Sequence, residues 1–565
     1  MKEAVFDFIS RMTDGKKDVA ELCAEAVGSL EEGNVCLAID NEQRSLLEGV
    51  PDVAFFAKED TPSDTVRTPF VVGPDPNGGA GLLYTRRNWV YERRVRDWVA
   101  DRAGRRTDDV TELPDDPFYA ELKKNPEQSA AVIEMCNAGL SILTGGPGTG
   151  KTFTIARAVK FIRDRNPDFR LALAAPTGKA KARMMDSFTK AIGGAQIDIA
   201  PATTIHSLLG PNYDFVTFKH NRENPLPLDW LIVDEASMID LPLMAKLIDA
   251  IPDTCRLTLV GDPDQLASVE RGRVFGDLCL FPGVSISRLV ASQRFPVGGD
   301  IAKLAAVVNG KDGKKPEDAL ALLKEGSEIV SYADLSRSAK EDSFDPEKWP
   351  GFADAVDKGF ARFADSPHFK PKPEDGEKKD KPQTPVQEAL ARLEDFRVLC
   401  ALRHGPFGSE QIARWIKKRL GKGCPTPLMI TRNDRALGVE NGDVGVVMPD
   451  DPKVLYLPGG KAVRLELLPE TELAFASTVH KAQGSDFQDV AIVLPPNPGK
   501  KKARTEDKAE AEGAEESDSF KLLTREILYT AITRTKGSVR LWASDAAILH
   551  CAKPIRRASG LVSRK

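Results

Sequence analysis

No run of apolar residues in this sequence approaches the roughly 18 that a helix needs to cross a bilayer. The first residues, Met1-Lys2-Glu3-Ala4-Val5, bring an acid and no long apolar stretch, so no secretory leader is expected. The chain is therefore expected to stay in the cytoplasm. Cysteines are few and scattered: the eight stand at 23, 36, 136, 255, 279, 400, 424 and 551, with no C-x-x-C pair. That spacing argues against a disulfide framework and against a zinc or iron–sulfur site, and leaves buried thiols. The six histidines show no metal-ligand spacing either. Aromatic residues make up only 7% of the chain, and the formal net charge at pH 7 is −5. That balance argues against a surface coated in positive charge for nucleic acid. It does not argue against a basic groove on an otherwise acidic body, because binding follows the local field.

What is present points to several domains, since 565 residues exceed what one hydrophobic core organises. Residues 1–115 mix helical patterns with the turn-rich stretch Gly73-Pro74-Asp75-Pro76-Asn77-Gly78-Gly79. Within them Tyr91, Val95, Trp98 and Val99 recur at helical spacing, with Arg93, Arg94 and Arg96 off that stripe. Over 116–290, short apolar strands (Ser141–Thr144, Leu171–Ala175, Leu231–Val233, Leu257–Val260) alternate with helical patterns, which predicts a parallel sheet covered on both faces. A second α/β region spans 291–545 and ends in strands Val490–Leu494 and Val539–Ala543; residues 438–472 inside it read as a small β-rich, barrel-like insertion. The stretches 365–382 and 496–519 are charged, low in apolar residues and read as linkers, and 546–565 reads as a C-terminal tail. Residues 210–228 fit a small hairpin or a plain surface loop.

Chemistry is concentrated in the first α/β region. Gly145-Gly146-Pro147-Gly148-Thr149-Gly150-Lys151-Thr152 fits G-x-x-x-x-G-K-[ST], after an apolar strand and before the helical pattern Phe153–Ile162. Glycines let backbone N–H groups converge on phosphates, and the helix N-terminus adds its positive end. Lys151 is expected to reach the β- and γ-phosphates, and Thr152 to hold Mg²⁺. Leu231-Ile232-Val233-Asp234-Glu235 ends a strand in two carboxylates, which assigns Asp234 to the metal and Glu235 to the attacking water as general base. In isolation such a strand end is as often merely solvated. Gln265, in Gly261-Asp262-Pro263-Asp264-Gln265-Leu266, is placed to sense the γ-phosphate. Gln128, in Asn125-Pro126-Glu127-Gln128, is placed to read an adenine edge, or else is an exposed helix residue.

In order along the chain, these segments resemble a known set. Gly145–Thr152, Ala175-Pro176-Thr177-Gly178-Lys179-Ala180, Asp234–Ser237 and Gly261–Leu266 are similar to motifs I, Ia, II and III of superfamily 1 DNA helicases. Ser292-Gln293-Arg294-Phe295, Ser477-Thr478-Val479-His480-Lys481-Ala482-Gln483-Gly484-Ser485 and Tyr529-Thr530-Ala531-Ile532-Thr533-Arg534 are similar to motifs IV, V and VI, in the form typical of the 5′–3′ branch. Beyond the motor, Leu83–Val95, Leu399–Gly408 and Arg556–Leu561 resemble the exodeoxyribonuclease V alpha-subunit (RecD) family; the resemblance runs from about residue 80 to the end. It departs at 496–519, where that family is compact, and in the composition of 365–382.

The resemblance implies an α/β fold with two RecA-like P-loop NTPase domains. It adds a small SH3-like insertion in the second and a mostly helical N-terminal domain that contacts partners. It also implies that Arg294 and Arg534 are arginine fingers, stabilising charge on the γ-phosphoryl as a cleft closes on ATP. Single-stranded DNA is expected to meet Thr177, Lys179 and His206 on the first domain and Thr478, His480 and Lys481 on the second. For Lys179 a solvated helix residue, and for His206 a capping or packing residue, are the plain alternatives. The implied activity is an ATP- and Mg²⁺-dependent 5′–3′ DNA helicase, the alpha subunit of a heterotrimer with exodeoxyribonuclease V beta and gamma subunits, in double-strand break repair and recombination. Nuclease activity would come from a partner, because the sequence has no other carboxylate cluster in a strand context. A stand-alone DNA or RNA helicase of the same branch, or a non-hydrolysing nucleotide clamp, would be the alternatives.

Overall fold

The computed structural model describes the chain except residues 194–198, 213–216, 269–270, 293, 295–298, 311–312, 337–343, 367–383, 435, 497–521, 553–556 and 563–565. The linkers read at 365–382 and 496–519 lie almost wholly outside the described residues, as does the middle of the 210–228 segment. The chain forms two compact units, residues 1–292 with 556–565, and residues 293–555.

The first unit opens with helices Lys2–Met12, Lys17–Glu31 and Asn41–Glu48. The last is started by a capping box in which Asp40 accepts from the Gln43 amide and the Gln43 side chain accepts from the Asp40 amide. Strands β1 (Leu37–Ile39), β2 (Ala54–Phe56), β3 (Phe70–Gly73) and β4 (Gly81–Thr85) form a sheet in the order β1-β4-β3-β2. Sequence periodicity did not reveal this sheet, because strands of three to five residues are too short to carry a pattern. Its alternating faces feed two cores: Phe70, Val72 and Leu83 pack with the first helices, while Val71, Leu82 and Tyr84 join Val95, Leu257 and Phe275. The N-terminal part and the first α/β region thus share a core rather than standing apart.

That α/β region is built on β5 (Leu140–Gly145), β6 (Leu171–Ala175), β7 (Thr203–Thr204), β8 (Trp230–Val233), β9 (Arg256–Gly261) and β10 (Ser285–Leu289). All pairings are parallel, in the order β10-β5-β9-β8-β6-β7, so every strand ends on the same edge of the sheet. Polar groups within the sheet satisfy one another: Ser141 and Thr258 share a hydroxyl bond of 2.8 Å, and Trp230 Nε1 donates to Thr258 Oγ1 at 2.9 Å.

The second unit carries β11 (Val330–Asp334) and β12 (Phe396–Cys400), then an antiparallel insertion of β13 (Thr426–Ile430), β14 (Val444–Met448), β15 (Asp451–Leu457), β16 (Lys461–Arg464) and β17 (Thr471–Leu473). The chain returns through β18 (Ala476–Thr478), β19 (Asp489–Val493) and β20 (Val539–Ala543). The main sheet is parallel in the order β11-β20-β19-β12-β18, and the insertion runs β16-β15-β14-β13-β17. The insertion therefore begins at Thr426, earlier than the 438–472 expected, because its first strand lies outside the turn-rich stretch. One aromatic cluster packs in this unit: Phe360 meets Phe396 at 5.1 Å and Phe475 at 5.4 Å edge-on, and Trp349 stacks on Phe407.

The stretch from 546, read as a tail, divides. Asp545–Cys551 is a helix of the second unit, and residues from 557 return to the first. There Glu92, buried, accepts from the Tyr84 hydroxyl at 2.7 Å, the Ser559 hydroxyl at 3.1 Å and the Gly560 amide at 3.0 Å. Burial pushes the Glu92 carboxyl up to about 7, against the pull of those donors.

Candidate nucleotide and nucleic-acid site

Strand β5 runs into the loop Gly145–Gly150, and helix Lys151–Arg165 begins at its end. Gly148 and Gly150 hold φ of 78° and 87°, the left-handed region that a side chain resists. A Cβ at Gly145 would stand 2.6 Å from Thr149 Oγ1 and 2.7 Å from the Leu289 carbonyl, so the loop is tight against its own strand neighbours. No side chain caps the helix, which leaves its first amides to an anion. Lys151 Nζ lies across the loop, donating to the Gly145 and Gly146 carbonyls at 2.7 and 3.1 Å. Thr149 Oγ1 donates to the Gly146 carbonyl at 2.9 Å, and Ser292 Oγ donates to the Pro147 carbonyl at 2.9 Å. Thr152 stands beside Lys151 in the first helical turn.

Gln128 sits on helix Pro126–Asn137, which Asn125 caps at the Gln128 amide. Its side chain is buried, not exposed, and Nε2 donates to the Thr149 carbonyl at 3.2 Å, bracing the loop.

Asp234 and Glu235 follow β8 on the edge where β5 ends. Asp234 is half-buried, its carboxyl desolvated by its surroundings. That desolvation and the neighbouring Glu235 raise it above the ordinary carboxyl range, while Lys151 and Arg183 pull the other way. Glu235 holds φ 52°, one of two non-glycine residues at positive φ among those described, the other being Asp14. A bulky side chain in that conformation stores strain of order 1 kcal/mol, the kind found where geometry is imposed by function. Two adjacent carboxylates are hard oxygen donors of the kind that suit a divalent cation such as Mg²⁺. Gln265 follows β9, buried, and donates Nε2 to Asp262 Oδ2 at 3.2 Å. Lys151, Thr152, Asp234, Glu235 and Gln265 thus all follow strands ending on one sheet edge.

Thr177 caps helix Gly178–Ile192, accepting from the Ala180 amide at 3.2 Å, with Lys179 half-buried in the first turn. His206 is exposed on the short helix Ile205–Leu209, with its ring centroid 5.9 Å from that of Phe218. The segment after it pairs with itself: the Asn212 amide donates to the Thr217 carbonyl at 3.0 Å and the Lys219 amide to the Gly210 carbonyl at 2.7 Å.

In the second unit, Thr478 ends β18 and is nearly buried, its hydroxyl accepting from the Lys481 amide at 3.3 Å. His480 is half-buried, and Lys481 Nζ donates to Glu472 Oε1 at 2.6 Å. Arg294 and Arg534 are brought together. Arg294 Nη2 donates to Asp486 Oδ2 at 2.6 Å, and Arg534 Nη1 lies 4.0 Å from Asp486 Oδ1 while donating to the Ser485 carbonyl at 3.3 Å. Asp486 was missed in the sequence; the signal available was an acid directly after the Ser477–Ser485 segment.

A family model described as an AAA domain matches residues 128–271. The RecBCD enzyme subunit RecD of Mycolicibacterium smegmatis is 35% identical over 515 residues, covering 86% of this chain and 82% of that protein. The ATP-dependent RecD2 DNA helicase of Deinococcus radiodurans is 28% identical over 460 residues, covering 76% of this chain and 51% of that protein. Among solved structures, a Pif1 helicase from Candida albicans aligns with 75% of this chain and 96% of its own at 16% identity, with a TM-score of 0.39.

Proposed function

The chain belongs to the RecD family, and from that premise we propose that it is the alpha subunit of an exodeoxyribonuclease V (RecBCD-type) heterotrimer, moving 5′ to 3′ on single-stranded DNA. It is an ATP-dependent DNA helicase. The observation that carries the reading is the phosphate cradle at 145–152 on the same sheet edge as Asp234, Glu235 and Gln265.

Backbone amides of the loop and Lys151 take the β- and γ-phosphates, and Thr152 with Asp234 would hold Mg²⁺. The cation, when bound, offsets charge on the phosphate oxygens. Glu235 accepts the proton of the water whose oxygen attacks the γ-phosphorus as the β–γ bridging bond breaks. Gln265 reports the γ-phosphate, and Arg294 and Arg534 stabilise the charge that grows on its oxygens. Thr177, Lys179, His206, Thr478, His480 and Lys481 hold the phosphates of the strand without reading its sequence. Beta and gamma chains supply DNA cleavage and the rest of the assembly. The exposed Phe8, Met12, Leu46 and Phe55 give the N-terminal part an apolar surface that suits a partner.

Coverage of 82% of a RecBCD subunit, against 51% of the RecD2 helicase, favours the subunit role over a stand-alone enzyme. The test is DNA-stimulated ATP hydrolysis and unwinding of 5′-tailed and 3′-tailed duplexes, with and without co-expressed beta and gamma chains. The expected result is a stable three-chain complex, activity on the 5′ tail, and its loss in Lys151→Gln. A chain that stays monomeric beside those partners would defeat the subunit role, and hydrolysis untouched by Lys151→Gln would defeat the motor.

A further inference from the structure

Asp486 lies two residues beyond Gly484, whose φ of 71° turns the chain. Two guanidiniums converge on its carboxylate: Arg294 at 2.6 Å on Oδ2 and Arg534 at 4.0 Å on Oδ1. The side chains of Arg294, Asp486 and Arg534 are 16%, 6% and 2% exposed. Water therefore screens them little, and the two cations would repel each other strongly without an anion between them. Arg534 Nε is moreover buried with no hydrogen-bond partner among the described residues. A buried guanidinium with an unspent donor is poised for another anion.

We propose that Asp486 is a positioning residue for the arginine pair, its negative charge letting Arg294 and Arg534 stand converged so that both meet the γ-phosphoryl oxygens together. The arginines stand 240 residues apart in the sequence, and this carboxylate, placed between them, offsets part of their combined charge. In this role Asp486 acts through the two arginines. This rests on the reading of Arg294 and Arg534 given above.

The test is DNA-stimulated ATP hydrolysis by the full chain. Asp486→Asn keeps the shape and removes the charge; it is expected to lower kcat about tenfold or more, with KM for ATP within about threefold. Affinity for single-stranded DNA without nucleotide should stay within about twofold, a control that a merely unfolded region would fail. Asp486→Glu restores the charge and should keep at least about a third of wild-type kcat. Combining Asp486→Asn with Arg294→Ala should cost little beyond Arg294→Ala alone, because without Arg294 no like charge stands beside Arg534 for the carboxylate to offset. Wild-type kcat in Asp486→Asn, or losses that multiply in the double variant, would overturn the proposal while Arg294→Ala and Arg534→Ala remain slow. Full activity in both arginine variants would overturn the finger reading itself, and the proposal with it. If Asp486→Asn does not fold, the glutamate variant decides: a folded Asp486→Glu as slow as Arg294→Ala would show that charge at 486 is not what matters.

Discussion

Replacing Glu92 by glutamine is expected to change how the first unit responds to pH. The Glu92 carboxyl is raised from 4.5 to about 7, chiefly by burial, so the folded state holds its proton more tightly than the unfolded chain does. Stability from this group is full below about pH 4.5, where both states carry the proton, and is lost as pH rises through about 7. A displacement of that size corresponds to about 3 kcal/mol between the two ends. Glutamine carries no charge to desolvate. Its carbonyl can accept from Tyr84 and Gly560, and its amide nitrogen can donate to the Ser559 oxygen, in place of the bonds Glu92 now makes. Allowing for less favourable hydrogen bonding, Glu92→Gln should be more stable than wild type by about 1–2 kcal/mol near pH 8 and equal or less stable near pH 5. Thermal unfolding of both proteins across that range, with hydrogen exchange at the Gly560 and Leu561 amides, reads the global and the local effect. Parallel pH profiles for the two proteins would refute the reasoning, since the ionisation of Glu92 would then not be coupled to docking of the C-terminal residues.

Two further outcomes follow from the nucleotide site. Glu235→Gln should lower kcat for ATP hydrolysis about a hundredfold or more while leaving ATP affinity within about threefold, read by single-turnover hydrolysis and by equilibrium binding of a fluorescent nucleotide. Gly150→Ala should lose nucleotide binding, because its φ of 87° resists a side chain and the added Cβ would stand 2.5 Å from Gln128 Nε2. The same assay checks it, and wild-type affinity would mean the loop relaxes without cost.

Much of the site was legible because its chemistry is local. Gly145–Thr152 lies on one strand–loop–helix turn, and Asp234-Glu235 and Gln265 each follow a strand whose apolar run is plain in the sequence. Parallel strands must all end on one edge, so identifying the strands was enough to gather those residues. Gln128 was harder: its place on a helix was readable, but its burial against Thr149 depends on how that helix packs.

What the sequence by itself determined is therefore the alternation of strand and helix and the residues that follow each strand, both set by short-range periodicity and by glycine's freedom at the loop. Only the tertiary structure decided which distant groups meet. Arg294 and Asp486 are 192 residues apart and Glu92 and Ser559 are 467 apart, yet each pair shares a hydrogen bond, part-buried in the first and buried in the second. No local pattern encodes such pairings. They arise when folding withdraws charges from water, and a buried charge must then find whichever partner the packed chain brings within reach.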